Sequence, residues 1–179
     1  SESTSYDPSN PYSASKASSD FLVKAYASTH GVNATISNCS NNYGPNQHRE
    51  KFIPTVIDSI LNEAKIPVYG KGDNIRDWIY VQDHCSALWK ILTKGKKGET
   101  YLVGSNCEKT NLEIIGEICK ILKKDPNDFI SFVKDRLGHD FRYAINSSKI
   151  SKELKWKPKT NLKDGLIKTI KYYEKYFDY

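Results

Sequence analysis

Methionine is absent from all 179 residues, and the chain opens on a polar stretch, Ser1-Glu-Ser-Thr-Ser-Tyr-Asp-Pro-Ser-Asn10, with the composition of a loop. Both features predict a fragment of a longer protein. No apolar run approaches the roughly 20 residues that cross a bilayer, and no basic start followed by an apolar stretch marks a signal peptide. No membrane partner is therefore expected. Cysteine is scarce: Cys39, Cys85, Cys107 and Cys119 stand far apart, without a Cys-x-x-Cys pair or a histidine at zinc-ligand spacing. This excludes a zinc module and predicts reduced, mostly buried thiols in a cytoplasmic protein, with no metal. A glycine-rich phosphate cradle is also lacking, because Gly70-x-Gly72 is followed by Ile75 where a third glycine is required. The formal charge of +6 comes without the basic and aromatic interleaving of a nucleic-acid surface, so no nucleic-acid partner is expected.

With 38% hydrophobic and 27% charged residues, the chain has the composition of an ordered globular domain. Asp7-Pro-Ser-Asn-Pro11 supplies turn and cap residues, and Ala14, Ala17, Phe21 and Ala25 then recur at helical spacing up to His30-Gly31. Extended runs are expected at 33–39, 66–69, 77–81, 100–103 and 130–133, with Asn41-Asn-Tyr-Gly-Pro45 as an exit loop. Helices are expected from Phe52 to Ala64, from an Asp83 cap to Leu92, from an Asn111 cap to Leu122, from a Ser147 cap to Leu154, and from Leu162 to Phe177. This alternation predicts an α/β protein with a mostly parallel sheet.

Tyr12 and Lys16 lie four apart at the start of the first helix, so both side chains share one face. An ammonium beside a phenol favours the phenolate, which suits a general base. Tyr-x-x-x-Lys arises often by chance; its surroundings make it specific. Asn10-Pro-Tyr-Ser-Ala-Ser-Lys-Ala17, Ser37-Asn-Cys-Ser-Asn-Asn-Tyr-Gly-Pro45, Pro67-Val-Tyr-Gly-Lys-Gly-Asp73, Arg76-Asp-Trp78, Asp135-Arg136, Gly138-His-Asp140 and Trp156-Lys-Pro158 follow one another over nearly the whole chain. In that order they resemble the extended short-chain dehydrogenase/reductases, and among these the dTDP-glucose 4,6-dehydratases.

The resemblance implies an NAD-dependent lyase that converts dTDP-glucose to dTDP-4-keto-6-deoxyglucose, working as a homodimer when full-length. Tyr12 would be the base for the sugar 4-hydroxyl, Lys16 would hold the nicotinamide ribose, and Asn42 would meet the cofactor. Asn41, Lys51 and Phe52 would contact the substrate. Pro67, Val68 and Tyr69 would line the base pocket, Arg76 would meet the diphosphate, and Asn111 the nucleotide. Asp135, Arg136, Leu137, Gly138 and His139 would close the same pocket, with Arg76 and Arg136 converging on one diphosphate. Leu137 departs from the family, which has Pro there, and the family's Thr-Asp-Glu acid-base stretch would lie ahead of Ser1.

Simpler roles compete: Asn41 and Asn42 as turn formers, Arg76 and Asp77 as a surface ion pair, His139 as a structural histidine, and Trp78 and Trp156 as core. The resemblance also implies the C-terminal part of a Rossmann-like parallel sheet interleaved with a smaller α/β substrate-binding lobe. Residues 1–45 would belong to the NAD-binding domain and 46–179 mainly to the sugar-nucleotide lobe, with 77–104 returning to the Rossmann domain. The alternatives are an epimerase or decarboxylase of the same superfamily, and a non-catalytic sugar-nucleotide-binding module. Alone, a chain without the cofactor-binding half is expected to be inactive.

Overall fold

The computed structural model describes residues 1–176. Numbered in chain order, the elements are α1 (Pro11–His30), β1 (Ile36–Cys39), β2 (Asn41–Tyr43), α2 (Phe52–Leu61), β3 (Ile66–Tyr69), β4 (Ile75–Tyr80), α3 (Val81–Lys94), β5 (Thr100–Val103), β6 (Glu108–Thr110), α4 (Asn111–Leu122), β7 (Ile130–Val133), β8 (Arg142–Tyr143), α5 (Ser148–Leu154) and α6 (Leu162–Tyr176). β1 pairs with β5, β2 with β4, β3 with β7 and β8 with β4, all in parallel; only β6 runs antiparallel, against β4. The mostly parallel α/β class expected from the alternating pattern is what the chain adopts. Phe177, expected to end the last helix, lies outside the described residues.

β4 organises the rest. Its first half, Ile75 to Asp77, pairs with β6, and Ile75 and Arg76 also pair with β8. Its second half, Trp78 to Tyr80, pairs with β2. Successive strand side chains point to opposite faces, and β4 uses both. Trp78 and Tyr80 enter a larger core with Tyr43, Ile53, Ile57, Ile114, Leu166 and Ile170. Ile79 enters a second core with Ala87, Ile91, Tyr101, Val103, Ile150, Leu154 and Trp156. Trp78 and Trp156 are thus both core residues, each 4% exposed.

Local chemistry sets the helix ends, though not always through the expected residue. Asn10 Oδ1 accepts the Ser13 N–H, Pro11 occupies the first turn, and Gly31 closes α1 at a φ of 68°, a conformation that glycine adopts without strain. α4 is capped by Thr110 rather than Asn111: its hydroxyl accepts the Glu113 N–H while Glu113 reaches back to the Thr110 N–H, a reciprocal capping box. α3 begins two residues before Asp83, whose carboxylate instead accepts the Thr160 N–H at 2.8 Å. Ser147 stands at the start of α5, but its hydroxyl bonds the amide and carbonyl of Gly104.

Among the described residues the apolar face of α1 is left uncovered: only Ala17 is buried, while Phe21 is 54% and Tyr26 59% exposed. One further expectation is corrected. The cysteines are free, but of the four only Cys119 is buried and Cys85 is exposed; Cys85 lies on the outer side of α3, where helical periodicity turns it away from Ala87 and Ile91.

Asp77 is 1% exposed and does not pair with Arg76 as a surface ion pair would. Its carboxylate accepts from the Ser105 N–H at 3.1 Å, the Ser105 hydroxyl at 3.0 Å and the Cys107 N–H at 2.7 Å, so it ties β4 to the 104–107 turn. Asp77→Ala strands two backbone N–H groups and should cost about 2–4 kcal/mol. Urea denaturation would show this as a lower midpoint with an unchanged slope. A loss below about 0.5 kcal/mol, the scale of an ordinary surface substitution, would contradict that role.

Candidate active site

The first group of side chains forms where α1 begins. Tyr12 is 72% exposed and Lys16 is exposed, and neither polar end bonds another protein group among the described residues. Lys16 lies close enough to Cys39, the last residue of β1, to pull its thiol toward ionisation, though burial outweighs this and pushes the thiol up. Tyr143, in β8, donates its hydroxyl to the Cys39 carbonyl at 3.2 Å. Partial burial, followed by the nearness of Cys39, Asp140 and Tyr12, raises the Tyr143 phenol above its ordinary value. Tyr143 is thereby held at the end of β1 as a neutral donor, within electrostatic range of the open Tyr12.

Between Cys39 and Asn41 the chain passes from the β1 sheet to the β4 sheet through Ser40 alone. Asn42 spans this step, its Nδ2 donating to Cys39 Sγ at 3.2 Å and to the Ser40 carbonyl at 3.1 Å. Its Oδ1 lies 2.9 Å from His84 Nδ1, and burial pushes the His84 imidazole down. Asn41 is half-buried beside it, with no side-chain hydrogen bond among the described residues. Lys51 is exposed at the start of α2, and Phe52 stacks on Trp78 with ring centroids 5.9 Å apart.

A second group surrounds the loop of residues 134–141. The Arg136 guanidinium lies 4.1 Å above the Tyr69 ring, within cation–π range. Asp135 Oδ1 accepts from the Arg136 N–H at 2.8 Å and faces His139 Nδ1 at 2.7 Å, which holds this carboxyl below its ordinary value. Gly70 has a φ of 58°, and a Cβ there would come 2.9 Å from the Asp135 carboxylate. Pro67 is exposed, Val68 is core, Leu137 is fully exposed and Gly138 turns the loop at a φ of 65°.

At the other end of the loop, Arg76 donates to the Asp140 carbonyl at 2.8 Å, to the Phe141 carbonyl at 3.4 Å and to its neighbour Ile75 at 2.7 Å. Asn74 adds a bond to Asp140 at 3.3 Å, and its carbonyl accepts the Asn111 N–H at 3.2 Å. Arg76 and Arg136 thus engage the two ends of one loop. Asn42 bonds Cys39 and Lys16 lies near it; Tyr69 and Arg76 hold the loop that carries Asp135, Arg136 and His139. Tyr143 ends that loop's return strand and joins the first group.

Sequence reasoning missed Tyr143 and His84. Tyr143 sits in a strand of two residues, too short to show alternation, and His84 follows the aspartate taken for a cap.

Mostly parallel α/β strands that follow a Tyr-x-x-x-Lys helix have the arrangement of the Rossmann-type short-chain dehydrogenase/reductases. Residues 1–169 match the family described as GDP-mannose 4,6 dehydratase, and the chain belongs to that family. The dTDP-glucose 4,6-dehydratase of Mycolicibacterium smegmatis is 53% identical over 173 residues, covering 96% of this chain and 52% of that protein. The crystal structure of dTDP-glucose 4,6-dehydratase from Bacillus anthracis in complex with NAD superposes with a TM-score of 0.95 at 45% identity, covering 100% of this chain and 57% of that one. That of the Streptomyces venezuelae enzyme with NAD and TYD bound gives 0.94 at 40% identity, covering 98% and 54%. The chain spans about half the length of the relatives it matches.

If Arg76 clamps the loop, Arg76→Ala should raise the rate at which trypsin cuts after Lys134 and Arg136 several-fold, with little change in global unfolding. Unchanged cleavage would show that the loop does not depend on Arg76.

Proposed function

We propose that this chain supplies the catalytic tyrosine and the sugar-nucleotide-binding lobe of an NAD-dependent dTDP-glucose 4,6-dehydratase. The observation that carries the reading is the likeness of the chain, at 53% and 51% identity, to enzymes of that name, with Tyr12 and Lys16 one turn apart at the start of α1 and Tyr143 bonded to Cys39 at the end of β1. Residues 1–45 and 77–104 would lie on the cofactor side, and the remainder of 46–179 on the sugar-nucleotide side. The two cores on either face of β4 follow this division only in part, since Tyr43, Trp78 and Tyr80 pack in the larger core and Ile150, Leu154 and Trp156 in the second.

The side chains around Cys39 fit the nicotinamide riboside end of a dinucleotide. Tyr12 and Lys16 offer open donors, Asn42 bonds Cys39, and the buried Ser40 hydroxyl has no hydrogen-bond partner among the described residues. Lys16, Tyr12 and Asn42 would hold that end; the glycine cradle for the diphosphate is not in this sequence. NAD, when bound, supplies a hydride acceptor that is restored in each turnover.

Tyr12 would take the proton from the sugar 4-hydroxyl as that carbon is oxidised, with Lys16 one turn further along the same helix face. Tyr143, kept neutral, would remain a hydrogen-bond donor beside it. The acid and base that remove water are assigned by the resemblance to a Thr-Asp-Glu stretch that this sequence does not contain. Asn41, Lys51 and Phe52 would contact the sugar nucleotide. Pro67, Val68, Tyr69 and Asn111 would shape the nucleoside pocket, with Asp135 to His139 closing it, and Arg76 and Arg136 would share the diphosphate, for which a guanidinium fork is well suited. Arg76 would have to exchange carbonyl bonds for phosphate bonds, so nucleotide binding and loop position would be linked.

The exposed Phe21, Leu22, Val23 and Tyr26 on α1 support a homodimer that covers this face. Four free cysteines support a cytoplasmic location, and no described helix is long and apolar enough to cross a membrane.

In the full-length protein, Tyr12→Phe should lower turnover by roughly a hundred- to ten-thousand-fold, the range for a positioned acid or base, with dTDP-glucose affinity within a few-fold. Near wild-type turnover would remove Tyr12 as the base. The wild type should also prefer dTDP-glucose over UDP-glucose by about ten-fold or more, since a methyl in an apolar pocket discriminates on that scale. Equal kcat/KM for both would point to a UDP-sugar enzyme.

A further inference from the structure

We infer that His84 is a positioning residue for Asn42, fixing which way the Asn42 amide faces where the chain changes sheets beside Lys16. The orientation follows from the chemistry of the acceptors. The Ser40 carbonyl can only accept, so the Asn42 atom 3.1 Å from it is the nitrogen. Oδ1 therefore faces His84 and, as an acceptor, requires the imidazole Nδ1 at 2.9 Å to carry the hydrogen. The His84 ring must be in its Nδ1–H form, leaving Nε2 without a proton when neutral. Burial of the ring favours that neutral form.

The arrangement is a permanent brace rather than a pH switch, since a protonated imidazole keeps its Nδ1–H and the same bond. It is also well anchored at both ends. His84 lies in the first turn of α3, which continues from β4 without a loop, and Asn42 pairs with Ile79 of that strand. The Asn42 main-chain carbonyl is held as well, accepting from Gln47 at 2.8 Å. With both amide atoms engaged, Asn42 fixes Cys39 and Ser40, and through them the floor between Lys16 and Tyr143. Without His84, the amide could rotate and release both.

The connection to NAD rests on the function proposed above; the brace itself does not. Long-range proton–nitrogen NMR spectra of the full chain should show His84 as the Nδ1–H tautomer, with slowed exchange of the Asn42 side-chain NH2. His84→Leu should accelerate that exchange. His84→Asn, whose amide nitrogen can replace Nδ1–H, should restore it. In the full-length protein, His84→Leu should weaken NAD binding by roughly ten-fold, about what one lost hydrogen bond is worth, and His84→Asn should recover most of it. An Nε2–H tautomer, or an Asn variant that behaves like the Leu variant, would overturn the inference. If the wild-type full-length protein does not bind NAD while the tautomer and exchange results hold, the cofactor reading fails and the brace stands.

Discussion

The pairing of β4 with three other strands is the constraint on which both groups of site residues depend. β2 carries Asn41 and Asn42, β6 leads into Asn111, and β8 carries Tyr143 and ends the loop that holds Asp135 to His139; each pairs with β4. β4 also runs directly into α3 and His84. A slip of one residue would exchange the faces of the strand. Trp78 and Tyr80 would then leave the larger core, and the buried Asp77 carboxylate would lose its donors. Correct register is thereby enforced by apolar burial on one face and by a satisfied buried charge on the other.

Much of this was legible in the sequence, for physical reasons that differ by element. α1 could be delimited because Asn10, Pro11 and Gly31 each do one local job at its ends. β3, β5 and β7 matched their expected bounds of four residues each, being short apolar runs bounded by turn residues. Where the sequence misled, a side chain with local capping potential served a distant group. Asp83 bonds Thr160 and Ser147 bonds Gly104, and no local pattern distinguishes a cap from a long-range acceptor. β6 and β8, with three and two residues, exist because β4 offers edges to them, not because their own sequences demand strands. The open face of α1 was equally hidden, since periodicity reports that a helix has an apolar side and not what covers it.

The motif residues were found in sequence because they recur in a fixed order; the residues that hold them were found only in space. Tyr143 reaches Cys39 across 104 positions, and His84 reaches Asn42 across 42. Such contacts are written in topology. They also show how one loop can couple the two groups. Arg76 grips its end at Asp140 and Phe141, just before Tyr143 in the chain, while Arg136 rests on Tyr69 at its start. A ligand drawing on both arginines would act on the same segment that delivers Tyr143 to Cys39.

In the proposed reaction Tyr12 begins a dehydration in which the hydrogen removed from C4 of the sugar returns to C6. Incubating the full-length protein with dTDP-glucose carrying deuterium at C4 tests it most directly. The account predicts a 4-keto-6-deoxy sugar nucleotide with deuterium at C6 and no net consumption of NAD. Deuterium retained at C4 of an epimerised sugar, or no keto product at all, would contradict it.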